Sequence, residues 1–174
     1  MRREDGVTIL GVDPGSKVTG YGLINSNGER NTLIESGVIE PGARAALPEK
    51  LREIFEGLLK VIKDHRPQQF AIEQAFYSKN ARSALIMGQA RGVAILAAAQ
   101  SEIPIGEYSP KEVKCAIVGT GNASKSQVQF MVKKLLRLKE LPQPLDAADA
   151  LAVALCHAQR TRRDLILSGR TCKA

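Results

Sequence analysis

Apolar and polar positions along the chain follow two periods, and the switches between them mark out the elements. Residues 7–12 (VTILGV) form an unbroken, β-branched apolar run, expected of a buried strand that ends in the turn cluster Asp13-Pro14-Gly15-Ser16. Residues 19–24 and 30–39 read as two further strands joined at the hairpin turn Asn27-Gly28. Three strands on short turns predict an antiparallel meander. After Pro41-Gly42 the period lengthens. Leu51, Ile54, Phe55, Leu58, Leu59 and Ile62 make a helical stripe that Pro67 stops. Residues 69–72 are a short apolar strand ending at Glu73. An Ala-rich helix is predicted over 79–100, a strand over 103–108, and a short helix opening at Pro110. The Gly-rich turn at 119–122 leads to a helix over 124–138, and the last helix spans 145–157.

The order βββ-α-β-α-β-α-α-α predicts an α/β fold, a mixed sheet covered by helices. No internal repeat or dividing linker is present. Residues 1–160 are therefore expected to form one domain, followed by a loosely ordered basic tail over 161–174. Gly88 and Gly92 lie one turn apart in the Ala-rich helix. They weaken it, so close approach of another backbone is their natural explanation.

Composition adds a charge argument. The 174 residues carry a formal net charge of +7, which favours a polyanionic partner, although a merely soluble basic protein would share it. No stretch approaches the ~20 apolar residues of a membrane span, and no apolar leader precedes the first strand, so no membrane association is expected. The odd count of three cysteines, Cys115, Cys156 and Cys172, has no zinc or redox spacing. It suits a reducing cytoplasm, and Cys115 and Cys156 read as core residues.

Four carboxylates carry the candidate chemistry. Asp13 and Glu73 each end an apolar strand, where neighbouring strands would bring them together. Taken alone, Asp13 could equally shape a turn and Glu73 could be a solvated strand end. Asp146 and Asp149 are three residues apart, hence on one face of the last helix, near an N-terminus that favours negative charge. That helix is otherwise Leu, Ala, Val and Cys. Two acids on a buried helix need a partner, and no basic residue lies one turn away. Hard divalent cations such as Mg²⁺ or Mn²⁺ would satisfy all four acids. Two ions about 4 Å apart can serve phosphodiester cleavage.

Five stretches resemble the RuvC family of bacterial Holliday-junction resolvases. They are Gly11-Val12-Asp13-Pro14-Gly15, residues 71–76 (AIEQAF), residues 88–92 (GQARG), residues 125–129 (KSQVQ) and residues 146–152 (DAADALA). The resemblance runs in order from about Val7 to His157. It implies a ribonuclease-H-like fold and a homodimer that binds four-way junction DNA. It also implies symmetric nicking of two opposing strands with Mg²⁺ or Mn²⁺, two ions per site, in recombination and repair. The family's catalytic, metal-holding acids fall on Asp13, Glu73, Asp146 and Asp149; some members carry His at the position of Asp146. A base-contacting aromatic falls on Phe76, with Lys79 beside it in the same loop, and two lysines near the scissile phosphate fall on Lys114 and Lys125. The dimer contact falls on the helix with Gly88 and Gly92. The branch-migration proteins RuvA and RuvB are implied as partners, and the bacterial cytoplasm as the compartment.

Three other readings compete. Residues 119–126 (GTGNASKS) nearly match a phosphate-binding P-loop, with Ser124 where the second glycine belongs. A strand followed by Asp and Gly also opens actin-like nucleotide-binding domains, but these work in pairs and this chain has room for one. A non-catalytic junction-binding scaffold would not need all four acids.

Overall fold

A computed structural model describes residues 6–74 and 80–168. Strands β1 (Val7–Asp13), β2 (Thr19–Ser26) and β3 (Asn31–Ile39) form the expected meander. They are followed by α1 (Leu47–His65), β4 (Gln69–Glu73), α2 (Ala81–Gln100) and β5 (Ile105–Tyr108). Helices α3 (Pro110–Val118), α4 (Lys125–Leu135) and α5 (Leu145–Leu167) complete the order. The sheet runs β3-β2-β1-β4-β5, with β1, β2 and β3 antiparallel and β4 and β5 parallel to β1. This is the mixed five-stranded sheet of a ribonuclease-H-like fold.

Strand side chains alternate between faces, so the sheet separates two cores. Leu10, Val12, Leu23, Phe70 and Ile72 pack with α1 and α2. Ile9, Ile24 and Ala71 pack with α3, α4 and α5. Apart from Asp149 and His157, helix α5 is apolar all round from Ala147 to Ala158, as befits a helix enclosed between a sheet and two other helices.

The face under α5 is almost bare. Gly22, Gly11, Ala71 and Gly106 are register neighbours across β2, β1, β4 and β5. A Cβ added at Gly11 would lie 2.2 Å from the carbonyl oxygen of Ala150, and one at Gly22 would lie 2.6 Å from the Leu151 side chain. The absence of side chains lets the Ala-rich helix lie directly on the strand backbones.

Two expectations need correction. Helix α5 does not stop near His157 but runs to Leu167, so residues 161–167 are helical rather than a loose tail. The reason is local: after Pro144 no Pro or Gly interrupts the chain until Gly169, and Arg, Leu and Gln favour helix. Cys156 is buried as expected, but Cys115 is exposed. Val113 and Ile117 form the buried face of α3, and Cys115 lies between them on the other side.

Gly11→Ala is expected to destabilise the protein by about 2–3 kcal/mol through overpacking against α5, read from the urea midpoint. Gly42→Ala, with its nearest neighbour 3.5 Å away, should move the midpoint little.

Candidate active site

Strand alternation decides where the acids go. On β1 the residues facing α5 are Ile9, Gly11 and Asp13; on β4 they are Gln69, Ala71 and Glu73. Val12 pairs with Ile72, so Asp13 and Glu73 end adjacent strands at matching positions on the α5 side. Asp13 also pairs with Gly20 on β2. A Cβ at Gly20 would lie 2.0 Å from the carbonyl oxygen of Asp146. Gly20 therefore admits the first turn of α5 beside Asp13, and that turn carries Asp146 and Asp149. The buried side chain of Gln129 on α4 donates to the Pro142 carbonyl at 2.9 Å, tying the segment before α5 to α4.

The four acids line one cleft of about 400 Å³, together with Lys114 of α3 and Lys125 of α4. Burial pushes the Asp13 carboxyl up to about 7, reinforced by the charges of Glu73, Asp149 and Asp146. Burial likewise raises Glu73 to about 7, with the charge of Asp149 adding to it and Lys125 and Lys114 opposing it. Lys125 Nζ donates to Asp149 Oδ2 at 2.6 Å, which holds the ammonium above its ordinary range. The partner for the acid pair thus comes from a separate helix, where the sequence offered none one turn away.

Among the described residues, no three acid, histidine or cysteine side chains converge closely enough to ligate one cation as they are placed. The donor set nevertheless fits a hard divalent cation: four half-buried carboxylates share a cleft, and burial and neighbouring acids raise two of them, Asp13 and Glu73. Rotation of these side chains about a cation would relieve their mutual repulsion.

The loop after Asp13 is pinned by Thr19, which is fully buried. Its hydroxyl donates to the Gly15 carbonyl at 2.7 Å and accepts from the Gly15 N–H at 3.3 Å. Neither Thr19 nor Gly20 was singled out by the sequence reading. The two-residue spacing of Gly20 and Gly22 on β2, matching Gly11 and Asp13 on β1, is the available signal. His157 is structural. Its ring bonds the Tyr108 hydroxyl at 2.8 Å and Gln69 Oε1 at 2.9 Å, and burial lowers its pKa. Residues 119–124 join α3 to α4, with Gly119 in the left-handed conformation and Ser124 capping α4. No strand precedes this loop, so its likeness to a P-loop is one of sequence only.

Phe76 and Lys79 lie outside the described residues. Gly88 and Gly92 are exposed on α2, and a Cβ at either would meet nothing within 4 Å. The close packing expected of them is not made within the chain.

The raised acids bear on stability. In the folded protein Asp13 holds its proton to about 7, whereas the unfolded chain releases it near 3.8. Folding is therefore opposed increasingly as pH rises between those values. Asp13→Asn should be more stable than wild type at about pH 8, by on the order of 2 kcal/mol, and the difference should vanish near pH 4. Thermal unfolding in chelator at several pH values checks this; a difference that does not change with pH would contradict it.

Comparison with known proteins places these features in a family. The family described as "Crossover junction endodeoxyribonuclease RuvC" matches residues 9–157. The RuvC protein of Pelotomaculum thermopropionicum is 53% identical over 152 residues, covering 86% of this chain and 92% of the relative. That of Shewanella sediminis is 51% identical over 162 residues, covering 93% and 92%. Among solved structures, T. thermophilus RuvC in complex with a Holliday junction substrate has a TM-score of 0.86 at 33% identity, covering 91% of this chain and 96% of that one. The yeast mitochondrial Holliday junction resolvase Ydc2 shares the fold, with a TM-score of 0.62 at 14% identity. With its sheet, its acid-lined cleft and these relatives in agreement, the chain belongs to the crossover junction endodeoxyribonuclease RuvC family.

Proposed function

We propose that this chain resolves four-way DNA junctions in the bacterial cytoplasm, cutting two opposing strands and leaving 5′-phosphate and 3′-hydroxyl ends. The observation that carries the reading is the single cleft lined by Asp13, Glu73, Asp146 and Asp149 and flanked by Lys114 and Lys125. Acids for cations and lysines for phosphate meet there, in a chain of net charge +7.

Asp13 and Glu73, fixed at strand ends, would hold divalent cations together with the Asp146/Asp149 pair on α5. Mg²⁺ or Mn²⁺, two ions per site, would supply activation of the nucleophile and neutralisation of charge at the phosphorus. Lys114 and Lys125 flank the same cleft and would orient the scissile phosphate. Lys125 would exchange its contact with Asp149 for the phosphate as the acids turn to the cations. From the family resemblance, Phe76 would stack on an unpaired base at the crossover, with Lys79 beside it.

Paired cuts need two sites, hence a homodimer. Leu85, Gly88, Gly92 and Leu96 follow one another at helical spacing on the exposed side of α2, and Leu85 is 71% exposed. The two glycines would let a second copy approach closely. RuvA and RuvB are the branch-migration partners that family membership suggests.

A supercoiled plasmid that extrudes a cruciform tests the reading. Wild type with Mg²⁺ should linearise it through paired nicks. Asp13→Asn should bind a synthetic four-way junction with near-native affinity yet leave the plasmid uncut, a loss of at least ~10³-fold in rate. Cutting by this variant at the wild-type rate would remove Asp13 from the site, and accumulation of nicked circles with wild type would argue against paired action.

A further inference from the structure

A second concavity, of about 460 Å³, lies between α3 and the C-terminal half of α5. Lys111, Glu112, Cys115, Arg160 and Arg163 line it. It is separate from the acid-lined cleft, but α3 borders both: Lys114 faces the cleft, and Lys111 faces the groove.

The charge in the groove is not balanced internally. Glu112 is its one acid, and its oxygens are already committed. One accepts from Arg160 at 2.6 Å; the other accepts from the Ser109 N–H at 2.9 Å and the Ser109 hydroxyl at 2.8 Å. Among the described residues, Lys111 and Arg163 form no ion pair. The stem of Lys111 rests on Gly121, where an added Cβ would lie 2.6 Å from Lys111 Cγ. The stem thus packs on the loop after α3, at the wall of the groove. Two unpaired cations and a neutralised pair, lining an open groove, suit a run of phosphates.

Arg163 stands roughly 20 Å along the α5 axis from Asp149 in the cleft, at a rise of about 1.5 Å per residue. That distance is about six base pairs of duplex at roughly 3.4 Å each.

Resting on the nuclease reading above, we infer that this groove holds the sugar-phosphate backbone of a duplex arm about six base pairs beyond the cleft. Lys111 and Arg163 contact its phosphates, while the Arg160–Glu112 pair braces α3 against α5. The contact adds affinity and sets the direction of the arm, but it takes no part in bond cleavage.

The test is a thermodynamic cycle between protein and DNA. One member is the Lys111→Gln/Arg163→Gln variant, which spares the Arg160–Glu112 pair. The other is a four-way junction whose phosphates roughly five to seven base pairs from the crossover are replaced by neutral methylphosphonates. Wild type should bind the modified junction about 5- to 30-fold more weakly than the native one, and the variant should lose a similar factor on native DNA. The two losses should not add, because each removes the same contacts. The slope of log affinity against log salt should fall by about 2 in the variant. Cutting at saturating protein should be unchanged, and this separates failure of the groove from failure of the nuclease reading. Additive losses, or a variant that binds native junctions as tightly as wild type, would overturn the inference; the second outcome would turn attention to an acidic protein segment as the ligand. Loss of the folded far-UV spectrum in the double variant is met by repeating the cycle with Arg163→Gln alone, where half the slope change is expected.

Discussion

The structure depends on the contact between α5 and the bare face of the sheet. Gly22, Gly11, Ala71 and Gly106 form a row across four strands with almost no side chains. The helix laid on that row presents mostly Ala, so backbone meets backbone. The next row toward the strand ends holds Gly20, Asp13, Glu73 and Tyr108. Gly20 leaves room for the first turn of α5, and that turn carries Asp146 and Asp149. One packing decision thus places four acids from three elements at a common cleft. A larger residue anywhere in the first row would lift the helix and move half of the site.

The same contact creates an electrostatic problem. Burial and mutual repulsion drive Asp13 and Glu73 up to about 7, so the folded state holds charge that it does not accommodate well. Lysines relieve part of this: Lys125 bonds Asp149, and Lys114 lowers the cost at Glu73. Such a site is destabilising by itself and would become favourable with the cations and phosphate proposed for it. That is the behaviour expected of a site shaped for binding rather than for stability. The basic groove further along α5 continues the same logic, with Lys111 and Arg163 left unpaired where no acid needs them.

Much of this was legible in the sequence. Unbroken apolar runs ending in Asp13 and Glu73 identified β1 and β4 and marked both acids as strand ends that neighbouring strands would bring together. The three-residue spacing of Asp146 and Asp149 put those two acids on one face of α5. Other features depended on tertiary contacts that no local pattern carries. The partner of Asp149 is Lys125, distant in sequence, so a search one helical turn away missed it. No local pattern distinguishes Gly20 from any strand glycine; its role comes from the first turn of α5 lying above it. The last turns of α5 read as a tail because charged residues replace the apolar ones there, yet nothing in 160–167 breaks a helix. Cys115 read as core because its neighbours are apolar, whereas the two-residue offset from Val113 turns it outward. The P-loop likeness failed for the opposite reason: the residues nearly match, but they link two helices.

Strand alternation and the α5 contact bring the four acids into one cleft, proposed above to hold cations. The most direct measurement is the thermal unfolding midpoint at about pH 8 with and without Mn²⁺, for wild type and for Asp13→Asn/Glu73→Gln. Mn²⁺ is expected to raise the midpoint of wild type in a concentration-dependent way and to leave that of the double variant unmoved. An equal rise in both proteins would contradict that proposal.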